Sequence, residues 1–223
     1  MTVVRERLVT AAYELFARHG VQAVGVDAII ERSGVARQTL YRHFGSKQEL
    51  VLAFLKRREE VWTYGWLAAE VQRRERDPRR RLLAIFDVFD EWFRRPDFEG
   101  CSFINVMLEH PSPGHPLHVA AAGYLARIRA YLEELAADAG VADPASLARE
   151  WHILMKGSIV AAGEGDVDAA RRAKRIGRVL LTQSQSATRG VGVEAETGEP
   201  SDGADDVVPP APGVPGQGRD LAA

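Results

Sequence analysis

The fold of this chain is decided by residues 29–47, which read IIERSGVARQTLYRHFGSK. Two short amphipathic runs meet here at Ser33 and Gly34. Glycine readily adopts the left-handed backbone conformation that ends a helix, and a glycine-containing turn of about three residues joins the two helices of a helix-turn-helix. The stretch therefore predicts this motif.

The second helix of the predicted motif separates an apolar face from a polar one. Leu40 and Phe44 are four residues apart, so they share the face that we expect to meet a small core. Gln38 and Arg42 then point away from that core. Glutamine can pair with an adenine edge and arginine with a guanine edge, which predicts that this helix enters a major groove of DNA.

The flanking residues predict the rest of a small DNA-binding domain, over residues 1–47. An amphipathic helix should precede the motif, because apolar residues recur at helical spacing from Leu8 to Phe16 and the run stops at Gly20. The motif helices are predicted over 26–33 and 36–44. Ser46 and Glu49 predict a capping box at the start of a fourth helix.

This region strongly resembles the TetR (TetR/AcrR) family of transcriptional regulators. The resemblance lies in the Gly34-Val35 turn, residues 39–44 (TLYRHF), residues 46–50 (SKQEL), and residues 11–12 (AA) and 15–16 (LF) of the first helix. It implies a homodimer that binds double-stranded operator DNA. It also implies base contacts from Arg37 and Gln38, and phosphate contacts from Thr39, Tyr41, His43 and Lys47.

Two positions depart from the family pattern. Gly25 stands where the family commonly has threonine, and Ala36 stands where it commonly has serine. Both family residues act as helix caps. Their loss is expected to cost about 1 kcal/mol at Ala36 and a few tenths at Gly25, and to lower phosphate affinity without changing the fold.

The remaining chain also predicts helices, and hence an all-α fold. They are expected at 46–76 (one long helix or two short ones), 78–95, 101–109, 116–139, 144–162 and 167–182, because prolines and glycines mark the breaks and no segment has a period of two. Residues 48–183 are predicted to form a ligand-binding and dimerisation domain. Residues 184–223, acidic and rich in Gly and Pro, are predicted to be disordered.

The central helices carry much aromatic mass, and some of it is expected to line a pocket for an apolar or aromatic effector. For each residue alone, ordinary core packing is the alternative. The pocket candidates are Trp62, Trp66, Phe89, Trp92, Phe103, Met107, His110, Tyr124, Trp151 and Met155.

The last two predicted helices combine small and large apolar residues. Small residues permit close helix approach, so these helices and their symmetry mates could form a four-helix dimer interface. Packing within one protomer is the alternative. The interface candidates are Leu154, Gly157, Ser158, Ala161, Ile176, Val179 and Leu180.

Several other groups are expected to have no special chemistry. Glu109, His110, His115 and His118 could ligate a divalent metal, but the Pro/Gly-rich connector around them favours a solvated or packing role, so no metal or cofactor is predicted. Cys101 is expected to be a buried, inert thiol, with a redox-sensitive thiol as the alternative. The arginine run over 73–81 is expected to be a solvated face.

Charge and hydropathy are compatible with this interpretation. The chain carries a net charge of −2, but residues 1–60 hold ten Lys/Arg against seven Asp/Glu, and residues 186–223 hold two against seven. The basic excess thus falls on the predicted DNA-binding domain. The N-terminus lacks the apolar core of a signal peptide, so we expect a cytoplasmic protein that does not bind membranes.

The sequence therefore predicts a ligand-responsive transcriptional regulator, of repressor type, released from a palindromic operator by a small-molecule effector. Two other classes of protein are the alternatives, an enzyme and a helical adaptor. An enzyme is disfavoured because the chain has no Gly-x-Ser-x-Gly elbow, phosphate-binding glycine loop or His-Glu-x-x-His motif. A helical adaptor would use the N-terminal domain only for packing and would lack salt-dependent DNA affinity.

Overall fold

The computed structural model describes the backbone of residues 3–190 and the side chains of residues 3–184. All regular structure within this range is helical, which confirms the predicted all-α fold. The elements are α1 (Val3–His19), α2 (Val26–Ser33), α3 (Arg37–His43), α4 (Lys47–Arg58), a π-helical stretch (Glu59–Ala68), α5 (Ala69–Arg74), α6 (Pro78–Phe93), α7 (Ser102–Glu109), α8 (Pro116–Asp138), α9 (Pro144–Gly163) and α10 (Ala169–Gly190).

Helices α1–α3, called the head below, form the predicted helix-turn-helix with its supporting helix. Gly34 has φ 64° and ψ 25°, and its N–H donates to the carbonyl of Ile30 at 2.9 Å. The Arg7 side chain of α1 donates to the carbonyl of Ser33 at 2.6 Å, which ties α1 to the same turn. Leu40 and Phe44 are buried in the head core, as predicted.

The helix caps behave largely as the sequence predicts. Gly25 and Ala36 precede α2 and α3 without a side-chain capping hydrogen bond. At α4, the Ser46 hydroxyl accepts from the Glu49 N–H at 3.2 Å. The Glu49 carboxylate bonds the N–H of Gly45, at 3.0 Å, rather than that of Ser46, so the reciprocal half of the capping box lies one residue earlier than in the standard motif.

Helix α4, the π-helical stretch and α5 form one helical run from Lys47 to Arg74. The sequence left open one long helix or two short ones, and it gave no sign of the widened turns. Three buried polar atoms in this stretch have no hydrogen-bond partner among the described residues: Glu59 Oε1, Trp62 Nε1 and Thr63 Oγ1. π-Helical turns are rare in proteins, and those that occur are often found at functional sites.

Helices α6–α10, called the body, pack around an aromatic core. Helix α9 packs between α8 and α10, and α6 packs against both α8 and α10. Trp151 of α9 is completely buried, with its ring centroid 5.4 Å from that of Phe86. The indole also lies directly over Gly177 of α10, so the absence of a side chain at Gly177 lets α9 and α10 approach each other.

The end of α10 differs from the sequence-based prediction. The helix continues to Gly190, so residues 184–190 of the predicted disordered tail are helical. The remainder of that tail, residues 191–223, lies outside the described residues.

Replacing Gly177 with alanine should destabilise the protein. The added Cβ would lie 2.6 Å from Cη2 of Trp151, so the ring or the helix must move. Overpacking of this kind costs about 1–3 kcal/mol, and chemical denaturation would measure it. Gly123→Ala on α8 is the matched control, because its Cβ meets no atom within 4 Å. Alanine favours a helix interior by about 0.5–1 kcal/mol, so the control should be stabilising, and similar effects of both variants would contradict this packing.

Candidate nucleic-acid interface and ligand cleft

The outward face of α3 is polar and accessible. It lies opposite the buried Leu40, as the helical spacing predicts. Of the residues expected to contact DNA on this helix, four are exposed (Arg37, Gln38, Tyr41, Arg42) and two are half-buried (Thr39, His43). The face therefore offers amide, guanidinium, hydroxyl and imidazole groups on one short helix.

Arg37 is held by an ion pair with Asp27, in the first turn of α2. Both side chains are largely exposed to solvent. Because exposed ion pairs contribute little stability, this arginine can leave Asp27 for a base or phosphate at small cost.

Lys47 lies at the other end of the motif, as the first residue of α4. Its ammonium group is 6.0 Å from the centroid of the Phe16 ring, and partial burial lowers its pKa, although the negative charge of Glu109 opposes that shift. A helix N-terminus has unpaired N–H groups that favour anions, so Lys47 is well placed to bind a phosphate.

A carboxylate from the body closes the junction with the head. Glu109, the last residue of α7, accepts from the N–H groups of Val21 and Gln22, both at 3.1 Å. The Gln22 side-chain amide donates to the Glu109 carbonyl at 2.6 Å. This set of contacts, called the Glu109 clasp below, joins α7 to the turn between α1 and α2.

The histidines that follow Glu109 organise the connector between α7 and α8. The rings of His110 and His115 stack with centroids 4.6 Å apart. Nδ1 of His110 lies 2.9 Å from the Val106 carbonyl, and Nδ1 of His118 lies 2.8 Å from the His110 carbonyl. The described residues contain no group of three or more His, Cys, Asp or Glu placed to hold a metal ion.

Four of the predicted pocket residues come together in one aromatic cluster: Trp62, Trp66, Phe89 and Trp92. The centroids of Trp62 and Trp92 are 5.0 Å apart, and those of Trp62 and Trp66 are 5.6 Å apart. Phe89 is completely buried behind the tryptophans.

The three tryptophans line a cleft of about 500 Å³, called the aromatic cleft below, between α1, the helical run from Lys47 to Arg74 and the segment from α6 to Glu99. Its walls also include a buried arginine and several charged side chains. The lining residues are Tyr13, Glu14, Ala17, Arg58, Val61, Trp62, Trp66, Trp92, Arg95, Asp97 and Glu99.

The other candidate pocket residues lie elsewhere, some of them in the core packing that was the alternative for each. Phe103 and Tyr124 stack on each other, with centroids 5.1 Å apart and planes at 21°. Trp151 is core packing against Phe86, and Met107 is a half-buried residue of α7 that packs on the core. His110 faces the head rather than the tryptophans. Helical spacing indicates which residues face the interior, but it does not indicate which other helices they pack against.

Met155 and Trp62 border a separate small cavity inside the body, of about 10 Å³, which is room for about one water molecule. Burial, aided by the positive charges of Lys156 and Arg129, lowers the pKa of His152 to about 3, so its imidazole is neutral. Burial also raises the pKa of the Cys101 thiol, in keeping with the predicted inert cysteine.

The outer face of α9 and α10 exposes large apolar side chains. Ile153 is 67% exposed, Val160 52%, Ile176 48% and Val179 53%. Ile153 and Val160 are missing from the interface candidates given by the sequence. Both share a helix face with the candidate Gly157, being four residues before it and three after it, and this spacing is the signal that indicates them.

Six of the seven predicted interface residues are at least partly accessible on α9 and α10, and one is not. Gly157, Ile176 and Val179 are exposed, whereas Leu154, Ala161 and Leu180 are half-buried. Ser158 is the buried candidate, since only 5% of it is exposed. Its hydroxyl donates to the Met155 carbonyl at 2.8 Å inside the helix.

Comparison with known proteins finds two family models that match parts of the chain. Residues 8–54 match the family described as bacterial regulatory proteins, tetR family, and residues 78–176 match the tetracyclin repressor-like C-terminal domain. The regulator YjdC of Escherichia coli is 26% identical over 175 residues, which covers 75% of this chain and 90% of YjdC. The transcriptional activator FasR of Mycolicibacterium smegmatis is 34% identical over 113 residues, covering 51% of this chain and 44% of FasR.

A solved structure agrees over most of the chain. The TetR-family regulator SCO4454 of Streptomyces coelicolor superposes with a TM-score of 0.72 at 27% identity, covering 82% of this chain and 90% of that one. No helix between residues 3 and 190 has the length and apolar character needed to span a bilayer. Both segments of the chain, the head that carries the recognition helix and the helical body behind it, thus match one group of proteins that are regulators rather than enzymes. This chain belongs to the TetR family of transcriptional regulators.

Proposed function

We propose that this protein is a ligand-responsive repressor that binds a palindromic operator as a homodimer. The observation that carries the proposal is the polar, accessible face of α3 opposite the buried Leu40 and Phe44. In this proposal residues 1–47 bind DNA, residues 48–183 bind the effector and the second protomer, and the protein acts in the cytoplasm. Two recognition helices then enter successive major grooves about 34 Å apart.

Activation is the second candidate, because FasR is named an activator and is 34% identical over 113 residues. The same DNA contacts serve both modes. In vitro transcription from a bound promoter distinguishes them, since a repressor lowers the yield of transcript and an activator raises it.

The dimer is supported by the exposed apolar face of α9 and α10. Ile153, Val160, Ile176 and Val179 would remain in water in a lone protomer. Clustered apolar residues of this size on two neighbouring helices are typical of an interface, and a two-fold axis would bring the same face of both protomers together.

The effector response is supported by the two links between head and body. The helical run from Lys47 to Arg74 is one, and the Glu109 clasp on Val21 and Gln22 is the other. A ligand that binds more tightly to a body conformation with the wrong spacing of recognition helices lowers the DNA-competent population by that difference in affinity.

Substitutions on α3 should separate base contacts from phosphate contacts. Gln38→Ala and Arg42→Ala should relax base preference at single operator positions, each by about 1–3 kcal/mol of discrimination. Tyr41→Phe and Lys47→Ala should weaken binding to all operator variants alike, because phosphates carry no sequence information. Fluorescence anisotropy with a panel of single-base operator variants measures both effects. Uniform losses for the Gln38 and Arg42 variants would refute the base contacts.

Placing a charge on the α9–α10 face should dissociate the dimer. Ile153→Asp would bury a carboxylate without a partner in the interface, so sedimentation at micromolar concentration should show mainly monomer. Val3→Asp is the matched control, since Val3 is 79% exposed on α1 and should leave the mass unchanged. A dimer that tolerates Ile153→Asp as well as it tolerates Val3→Asp would exclude this face as the interface.

Removing the Glu109 carboxylate should release the turn between α1 and α2. In Glu109→Ala, the amide protons of Val21 and Gln22 should exchange with solvent about tenfold to a hundredfold faster, because hydrogen bonds to a charged acceptor are lost. Glu133→Ala, at an exposed position on α8, is the control. Hydrogen exchange followed by NMR measures both, and unchanged exchange at Val21 and Gln22 would show that the clasp does not hold the head.

A further inference from the structure

The charged side chains at the rim of the aromatic cleft are already paired. Glu14 accepts from Arg32 at 2.6 Å across the two head helices. Asp97 binds Arg95 through two hydrogen bonds, at 2.8 and 2.6 Å. Because these four charges already neutralise each other in pairs, they should attract a charged ligand only weakly.

Two charged groups of the cleft wall remain, Arg58 and Glu99. Arg58 is only 7% exposed, and its guanidinium donates to the Tyr13 hydroxyl at 2.9 Å and lies 5.7 and 5.8 Å from the ring centroids of Tyr13 and Trp62. Among the described side chains, no carboxylate forms an ion pair with it. A guanidinium has five N–H donors, and a buried cation without a counter-charge is costly. The Arg58 guanidinium can therefore take an anion as a further hydrogen-bond acceptor.

Glu99, also on the cleft wall, is a poor counter-charge for Arg58. Burial raises the pKa of Glu99, although the positive charge of Arg58 opposes the shift. Glu99 accepts no hydrogen bond from Arg58 and forms no ion pair with it among the described side chains. The N–H groups of Arg58 that Tyr13 does not occupy are therefore left for an acceptor that a ligand would bring.

The walls of the cleft favour a ligand whose anionic group is attached to an aromatic ring. Trp62, Trp66 and Trp92 supply ring faces and edges, and aromatic pairs gain energy beyond simple burial. Trp62 is more than nine-tenths buried, and its indole N–H has no acceptor among the described residues. The volume of about 500 Å³ falls within the range of small-molecule sites.

We propose that the aromatic cleft binds a small aromatic carboxylate, whose carboxylate accepts hydrogen bonds from Arg58 and whose ring packs against Trp62, Trp66 and Trp92. Binding itself does not depend on the regulatory function. That this ligand is the effector rests on the function proposed above.

The geometry also connects the proposed ligand site with the DNA-binding head. Arg58 belongs to α4 and its present partner, Tyr13, belongs to α1 of the head. A carboxylate that draws the guanidinium away from Tyr13 removes this hydrogen bond between α1 and α4. Because α1 packs against α2 and α3, a change in this contact can pass through α1 to the recognition helix.

Calorimetric titration with three probes of one shape tests the charge preference: naphthylacetate, naphthylacetamide and naphthylethylammonium. Naphthylacetate should bind at least tenfold more tightly than the neutral amide, and the ammonium compound should not bind. Tighter binding of the ammonium compound would assign the site to cations through Glu99 and overturn the proposal. Equal binding of acid and amide, or no binding by any probe, would also overturn it.

Variants assign the anion site to one arginine. Arg58→Met should reduce naphthylacetate affinity about tenfold or more, because a charge-assisted hydrogen bond is lost. Arg80→Met is the matched control, since Arg80 is an exposed arginine of α6 that does not line the cleft, and it should change affinity less than twofold. Tyr13→Phe, which frees Arg58, should bind naphthylacetate at least as tightly as the natural protein. Equal losses in the two arginine variants would contradict the assignment to Arg58.

A DNA-binding assay separates the ligand site from the regulatory role. With an operator fragment, naphthylacetate should weaken binding by the natural protein but not by Arg58→Met. If the ligand binds and DNA affinity does not change, the site stands and its role as effector site fails. If no DNA fragment is bound at all, the regulatory function fails while calorimetry still decides the site.

Discussion

The recognition helix depends on the burial of two side chains. Helix α3 has seven residues, fewer than an isolated helix needs to be stable in water, so its position comes from tertiary contacts. Leu40 and Phe44 supply them by packing into the head core. The left-handed turn at Gly34 fixes the angle at which α3 leaves α2. The polar face of α3 is accessible only because these constraints hold its other face inward.

The head is held to the body at two separate places, and this arrangement suits a protein that responds to a ligand. Helix α4 continues into the body, and Arg57 and Arg58 contact Glu6 and Tyr13 of α1. On the other side, Glu109 bonds the turn after α1. The Arg58 contact lies at the aromatic cleft, so a change in the cleft alters a contact of the head without reaching the DNA-binding surface itself.

Much of the head could be predicted from sequence because its signals are local. The Gly34 turn, the four-residue spacing of Leu40 and Phe44, and the Ser46 cap each depend on neighbours within a few positions. The body depends on contacts distant in sequence. Glu109 contacts Val21 across 88 residues, and no spacing rule indicates that pairing.

The positions of the candidate pocket residues could not be predicted for the same reason. Helical spacing indicates that aromatic residues face inward, but it cannot divide them between the cleft, a stacked pair and the core around Trp151. Small size makes Ser158 an interface candidate, whereas the structure buries it on the inner face of α9. Nothing in the local pattern of residues 59–68 predicts the π-helical stretch.

Selection of genomic DNA fragments by the purified protein at physiological salt, followed by footprinting, tests whether α3 is a recognition helix. A few fragments should be enriched, each with a protected palindrome whose half-sites are about one helical turn apart. Binding that shows no preference above non-specific affinity, with and without an aromatic carboxylate, would contradict the assignment of α3 as a recognition helix.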